Sequence, residues 1–184
     1  MSSKVEEAQR FEAGIDTIRD APASAGTVEL IVRRPAVGAR EVLDEAELDL
    51  EEGLVGDNWL ARGTRSRPDK SADPKAQLTV MSTRVAALVA GPREQWSLAG
   101  DQLYVDFDLG RENLPAGTRL AVGSAVIEVT DEPHTGCAKF SARFGSAALR
   151  FINSPVGREL NMRGINARVV EPGRVRCGDA IRKL

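Results

Sequence analysis

Residues 118–130 read TRLAVGSAVIEVT, and this stretch decides the fold class. Two short runs rich in Val, Leu and Ile, 118–122 and 125–130, flank Gly123-Ser124. A glycine-led pair between two β-prone runs is the signature of a two-residue hairpin, because glycine accepts the positive φ that the favoured turns require. The same grammar recurs on both sides. Residues 165–170 and 174–176 flank Glu171-Pro172-Gly173 and read as a second hairpin, and 180–182 can close the sheet. Upstream, 103–107 alternates as a strand should. Residues 77–81 form a short strand, and the helix predicted through 84–90 is stopped by Gly91-Pro92. Residues 27–33 read as a strand, 35–38 as a turn, and 39–50 as containing a strand that ends at the acidic turn Glu51-Glu52-Gly53. Gly53-Leu54-Val55-Gly56-Asp57 is a tight loop. Residues 61–76, with Arg62, Arg65, Arg67, Lys70 and Lys75 among Gly, Ser, Asp and Pro, form a long surface loop. Many short strands with tight turns, and helices between only some of them, predict a mostly β fold with a few helices: a closed or partly open β-barrel.

Residues 2–20 read as a helix. Ser3 and Glu6 have capping-box spacing, and Val5, Phe11, Ile15 and Ile18 form a partial apolar stripe. The Pro- and Gly-containing stretch 21–26 breaks it. The expected organisation is an N-terminal helical extension, 1–26, and a single barrel domain, 27–184; the length of 184 residues suits one domain.

The formal net charge of -2 argues against a nucleic-acid partner. The opening residues hold no apolar signal-peptide core, and no apolar run approaches the ~20 residues of a membrane span. Two cysteines are too few for a disulfide framework. A soluble, cytoplasmic protein with reduced thiols and no membrane partner is expected.

The chemistry concentrates in residues 131–152, DEPHTGCAKFSARFGSAALRFI. A strand runs into Pro133, the chain turns through His134-Thr135-Gly136, and a helical pattern begins near Cys137. Phe140, Phe144, Ala147, Ala148 and Phe151 share one apolar face, with Lys139, Arg143 and Arg150 as a basic stripe beside it. Gly145 weakens the middle, leaving room for two shorter helices. Cys137 then falls in or near a first helical turn, where free amides and neighbouring cations favour a thiolate. His134 lies close enough in sequence to exchange a proton with the sulfur or a substrate. A free cysteine is more commonly a small buried hydrophobe, and a basic stripe a solvated face; it is the coincidence of thiol, imidazole and cations that makes a candidate site. Cys177, after the second predicted hairpin, reads as structural. The chain holds no Cys-x-x-Cys, phosphate-binding loop, GxGxxG or G-x-S-x-G sequence.

Gly53-Leu54-Val55-Gly56-Asp57, Gly110-Arg111-Glu112-Asn113-Leu114, the 118–130 segment, Pro133 to Phe140 around Cys137, Arg163-Gly164-Ile165-Asn166-Ala167-Arg168-Val169 and Gly178-Asp179 stand in the order of the MOSC domain. The pattern resembles that family, the C-terminal domain of molybdenum cofactor sulfurases, from about residue 27 to 184. The resemblance implies a β-barrel and molybdenum-cofactor or sulfur chemistry. Cys137 would be the metal ligand or sulfur acceptor. His134 would shuttle protons, and Asp57, Arg62, Asn113, Lys139, Arg143, Arg163 and Arg168 would bind the cofactor, the arginines matching phosphate oxygens. The implied reaction is reduction of N-oxygenated compounds by a stand-alone member bound to a molybdopterin-type cofactor, with a desulfurase or electron-transfer protein as partner. Trp59 stands where many relatives have His, and the pyridoxal-phosphate desulfurase domain of the sulfurases is not in this sequence. Two other readings stand beside it: a cofactor-free persulfide sulfur carrier, and a non-catalytic barrel that binds a small anionic ligand.

Overall fold

A computed structural model describes residues 2–184. Its elements run in chain order as helices α1 (Ser2–Ala13) and α2 (Ile15–Arg19), then strands β1 (Ala25–Arg33), β2 (Glu41–Leu43), β3 (Glu45–Asp49) and β4 (Gly53–Leu54). Helix α3 (Trp59–Arg62) and a 3-10 turn (Pro74–Ala76) lead to β5 (Leu78–Ser82), α4 (Thr83–Ala90), a 3-10 helix (Arg93–Ala99) and β6 (Leu103–Asp106). The hairpin β7 (Arg119–Val122) and β8 (Ala125–Val129) precedes α5 (Ala138–Ile152) and α6 (Pro155–Glu159). The chain ends with β9 (Ile165–Glu171), β10 (Gly173–Arg176) and β11 (Ala180–Lys183).

Strands β11, β7, β8, β9, β5, β6 and β1 hydrogen-bond in that order, and β1 pairs back onto β11. The sheet is therefore a closed, seven-stranded mixed barrel. Among the described residues, only β5 and β6 pair in parallel, because α4 and the 3-10 helix supply the crossover that a parallel pair needs. Strand β1 is long enough to serve three neighbours: Ala25 to Thr27 meet β11, Thr27 to Ile31 meet β6, and Ile31 to Arg33 meet β2. Closure leaves no free edge around the ring, the usual remedy for exposed strand edges.

The period-2 alternation sorts the core into two compartments. On β6, Leu103 and Val105 join the cluster that includes Leu78, Val80, Leu120, Ile127, Ile165, Ala167 and Ile181. Tyr104, between them, faces a second cluster with Leu30, Val32, Met81, Val85, Phe140, Ala148 and Ile152. Helices α1, α4 and α5 cover that second face. Burying a large apolar side chain there contributes roughly 1.5–3 kcal/mol relative to exposure.

Two sequence expectations change. The helix expected over 2–20 is two helices, and the N-terminal segment is part of the packing: Phe11 is buried and stacks on Phe151 with ring centroids 4.9 Å apart. The cap expected from the Ser3 side chain lies outside the residues whose side chains are described. Residues 165–170 and 174–176 do not form a hairpin. Strand β9 stays in the barrel between β8 and β5, whereas β10 leaves it to pair with β3 in a separate three-stranded sheet. The Gly123-Ser124 hairpin forms as the sequence requires, with Val122 opposite Ala125. Gly145 does interrupt its helix: at φ 87° and ψ 164° it divides α5 into two segments, a conformation costly for any residue with a Cβ.

Candidate functional site

Cys137 sits at the start of α5 in extended conformation, φ -125° and ψ 179°, as an N-cap residue does. Its thiol is exposed. No amide makes a full capping hydrogen bond to the sulfur. Partial burial pushes the thiol pKa up, but the Phe140 and Lys139 amides, then the charges of Arg163 and Lys139, outweigh it and hold the group below its ordinary value. This is the electropositive, partly open setting that favours a thiolate.

The sulfur lines a cavity of about 170 Å³ whose cationic side chains are Arg34, Arg40, Arg62, Lys139, Arg143 and Arg163. Among the described residues, no carboxylate lines it. Two acids stand behind it instead. Asp57 accepts from Arg34 Nε and Nη2, both at 2.8 Å, and from the main-chain N–H groups of Arg34 at 2.9 Å and Trp59 at 3.0 Å. The Gly53–Asp57 loop reaches this position through positive φ at Gly53 and Gly56. Asp101, fully buried, accepts from Arg163 Nη1 at 2.5 Å and pairs with His134 Nε2 at 2.8 Å. Burial pushes the Asp101 pKa up, yet the charges of Arg163 and His134 win and hold it at about 2. His134 moves the other way: burial first, then Arg163, lower its pKa against the pull of Asp101. It is therefore neutral near pH 7 and donates its Nε2–H to Asp101. Arg163 also lies over the Phe140 ring, 5.3 Å from its centroid.

Val37, Arg62 and Lys139 also line an adjoining cleft of about 960 Å³, whose other walls include Trp59, Arg65 and Lys70 and the carboxylates of Asp73 and Glu132. Arg62, though exposed, carries a lowered pKa because partial desolvation and then the charge of Arg34 disfavour its own.

Of the residues expected at the site, Cys137, Arg62, Lys139, Arg143 and Arg163 are brought together. Asp57 stands behind the wall as the partner of Arg34. His134 is not at this cavity; it lines a separate one of about 390 Å³ that shares no lining residue with the first. Asn113 is elsewhere, its carboxamide donating to the carbonyls of Ala23 and Asp108 and accepting from Lys183. Arg168 is also distant, paired at 2.8 Å with Glu128 on the barrel surface. Sequence reading missed Arg34, Arg40 and Asp101. The local signal was the Arg33-Arg34 doublet before Pro35; Arg34 and Arg40 lie about a hundred residues from Cys137 and Asp101 lies 36 residues from it.

A family model of the MOSC domain matches residues 71–182, which include Cys137, Arg143 and Arg163. The chain belongs to the MOSC domain family. No curated protein matches it in sequence. Among solved structures, the YuaD protein of Bacillus subtilis superposes with a TM-score of 0.64 at 20% identity, covering 85% of this chain and 94% of that one. YiiM of Escherichia coli gives 0.54 at 21% identity, over 86% of this chain and 69% of that one. YiiM of Geobacillus stearothermophilus gives 0.52 at 10% identity, over 89% and 74%. At these identities the likeness concerns the MOSC fold, and the family supports a role connected with the molybdenum cofactor. No helix among the described residues is long and apolar enough to cross a membrane.

Proposed function

We propose that this MOSC chain binds a molybdopterin-type cofactor across the two adjoining cavities, with Cys137 as the metal ligand or sulfur acceptor. One observation carries the reading: an exposed, thiolate-favouring sulfur lines a cavity walled by six cations and no described carboxylate. The donor set suits such a group. A soft thiolate prefers a metal–sulfur centre to a hard cation, and guanidinium forks match phosphate oxygens. Bound there, the group supplies two-electron redox chemistry suited to reducing an N-oxygenated compound with electrons from a partner protein.

The chain's own contributions follow from the geometry. Arg163 stabilises the Cys137 anion, and Asp101 holds that guanidinium at the wall. Arg62 and Lys139 line both the small cavity and the larger cleft. His134, in the other cavity, holds Asp101 and does not hand a proton directly to the sulfur. The test is molybdenum and pterin analysis of protein made in a cofactor-competent host. Near-stoichiometric cofactor is expected in the wild type and a large loss in Cys137→Ser; a wild type without cofactor defeats the reading.

The exposure of the Cys137 thiol also favours a second reading, a persulfide carrier. Its thiolate would attack the outer sulfur of a desulfurase persulfide; the donor S–S bond breaks and the desulfurase cysteine leaves as thiolate. Incubation with a charged desulfurase should then add ~32 Da, one sulfur atom, at Cys137. An unmodified Cys137 removes this alternative. A third reading, a non-catalytic binding barrel, would be favoured by a Cys137 that stays inert in a thiol-reactivity assay.

A further inference from the structure

The second cavity, of about 390 Å³, lies where residues 130–134 run past the turn 161–166, and its chemistry is the reverse of the first. The turn is tight. Asn161 takes φ 46°, a left-handed conformation that asparagine tolerates better than most residues, and its carbonyl accepts from the Gly164 N–H at 2.8 Å. Gly164 has φ 112°, and a Cβ built there would stand 2.4 Å from the Val80 carbonyl oxygen and 3.2 Å from His134 Cδ2. The missing side chain lets the imidazole lie against the turn.

Three side chains bring unused acceptors to this space. Asp101, buried and ionised, takes the Nε2–H of His134, so Nδ1 keeps its lone pair and has no partner among the described residues. Asn166, only 4% exposed, spends Nδ2 on the Glu132 carbonyl at 3.1 Å, which leaves Oδ1 free. Asn161 spends Nδ2 on the Leu109 carbonyl at 2.8 Å and likewise keeps Oδ1 free. None of the three atoms is sealed inside the protein, as Gln102 Nε2 is; they open onto the cavity that their residues line. Acceptors gathered without donors call for a ligand that brings N–H groups. Charge adds to this. Of the two carboxylates at the cavity, Asp131 is paired with Lys75 at 2.8 Å, whereas Glu132 makes no ion pair among the described residues. Arg111, exposed and also unpaired among the described residues, is the one cation there.

We propose that this cavity is a second binding site, for a small organic cation with several N–H donors, of the guanidinium type. His134 Nδ1 and the Asn161 and Asn166 carboxamide oxygens accept its hydrogens, and Glu132 balances its charge. The first cavity, walled by cations, repels such a ligand, so the two ends of the Arg163–Asp101–His134 chain face sites that select opposite charges. The site is independent of Cys137 and of the cofactor reading.

The experiment uses the full chain, with methylguanidinium as probe and tetramethylammonium, an equal charge without N–H groups, as reference. Calorimetry reads affinity, and nitrogen-15 NMR reads the imidazole, which is unambiguous because His134 is the one histidine of the sequence. In the free protein Nδ1 should resonate as the unprotonated nitrogen and Nε2 as the protonated one. Methylguanidinium should bind saturably and move the Nδ1 signal with the same midpoint, and tetramethylammonium should do neither. Glu132→Gln, an exposed change of equal shape, should weaken binding about fivefold, and His134→Phe about tenfold, the sizes of one lost charge-assisted or buried contact. Arg111→Gln should leave binding intact or tighten it. Circular dichroism shows whether each variant remains folded; should His134→Phe unfold, Glu132→Gln and the Nδ1 signal decide the question. A wild type that binds methylguanidinium no better than tetramethylammonium overturns the proposal. So do binding that leaves Nδ1 unmoved, binding undiminished in folded Glu132→Gln, and binding lost in folded Arg111→Gln, which would mean that an anion is held instead.

Discussion

Cys137 and Cys177 are the same residue in opposite surroundings. Cys137 begins a helix, is exposed, and faces amides and cations that draw its thiol toward ionisation. Cys177 follows β10, packs partly buried against the barrel core, and donates its S–H to the Leu43 carbonyl at 3.5 Å. Burial, only partly opposed by the Ile31 backbone, pushes its thiol pKa up. A thiol's reactivity is thus set by the element that carries it and by the charges the fold brings near. The cationic wall is the difference, and four measurements bear on it.

The largest effect falls on the support of that wall. Asp101→Ala leaves the buried Arg163 charge without its carboxylate, and urea unfolding should show a loss of ~3–5 kcal/mol. An undiminished stability would mean that Arg163 is not held as described. Acid should act on the same pair. Because the Asp101 pKa is held at about 2, below 3.8, its contribution is fully present above the unfolded-state value and is lost as pH falls through the folded one. The loss is about 2 kcal/mol between roughly pH 4 and pH 2. His134, whose pKa is lowered, adds a separate decline as pH drops below its ordinary value, since its neutral form is the one the fold prefers. Unfolding midpoints across pH should show both limbs, and Asp101→Asn should flatten the lower one.

The thiols themselves come next. With iodoacetamide near pH 7, Cys137 should be alkylated at least about tenfold faster than Cys177, as read by peptide mass spectrometry. Equal rates would erase the contrast. The smallest effect belongs to Cys177→Ala, which removes a partly buried sulfur and one weak hydrogen bond. It should cost about 1 kcal/mol or less in thermal unfolding and leave the Cys137 alkylation rate unchanged.

Much of the fold was legible because it rests on local rules. Gly123-Ser124 makes a hairpin wherever two β-prone runs flank it, and Gly145 weakens a helix wherever it stands. The order of motifs around Cys137 likewise located the family. The Glu171-Pro172-Gly173 turn misled for a physical reason: a turn sequence reports that the chain bends, whereas strand pairing depends on which edge is available. Strand β3 offered β10 a partner outside the barrel.

The site divides along the same line. The sequence by itself determined that a cysteine would sit at the start of a helix with Lys139 and Arg143 beside it, since both depend on residues a few positions apart. Only the tertiary structure decided that Arg34 and Arg40, at the end of the first strand and the turn after it, would join them on the carbonyls of residues 97–100. It also turned His134 away to hold Asp101. Helical spacing fixes neighbours within a turn or two, whereas which distant charges meet is settled by barrel closure and by the need of each buried polar group for a partner.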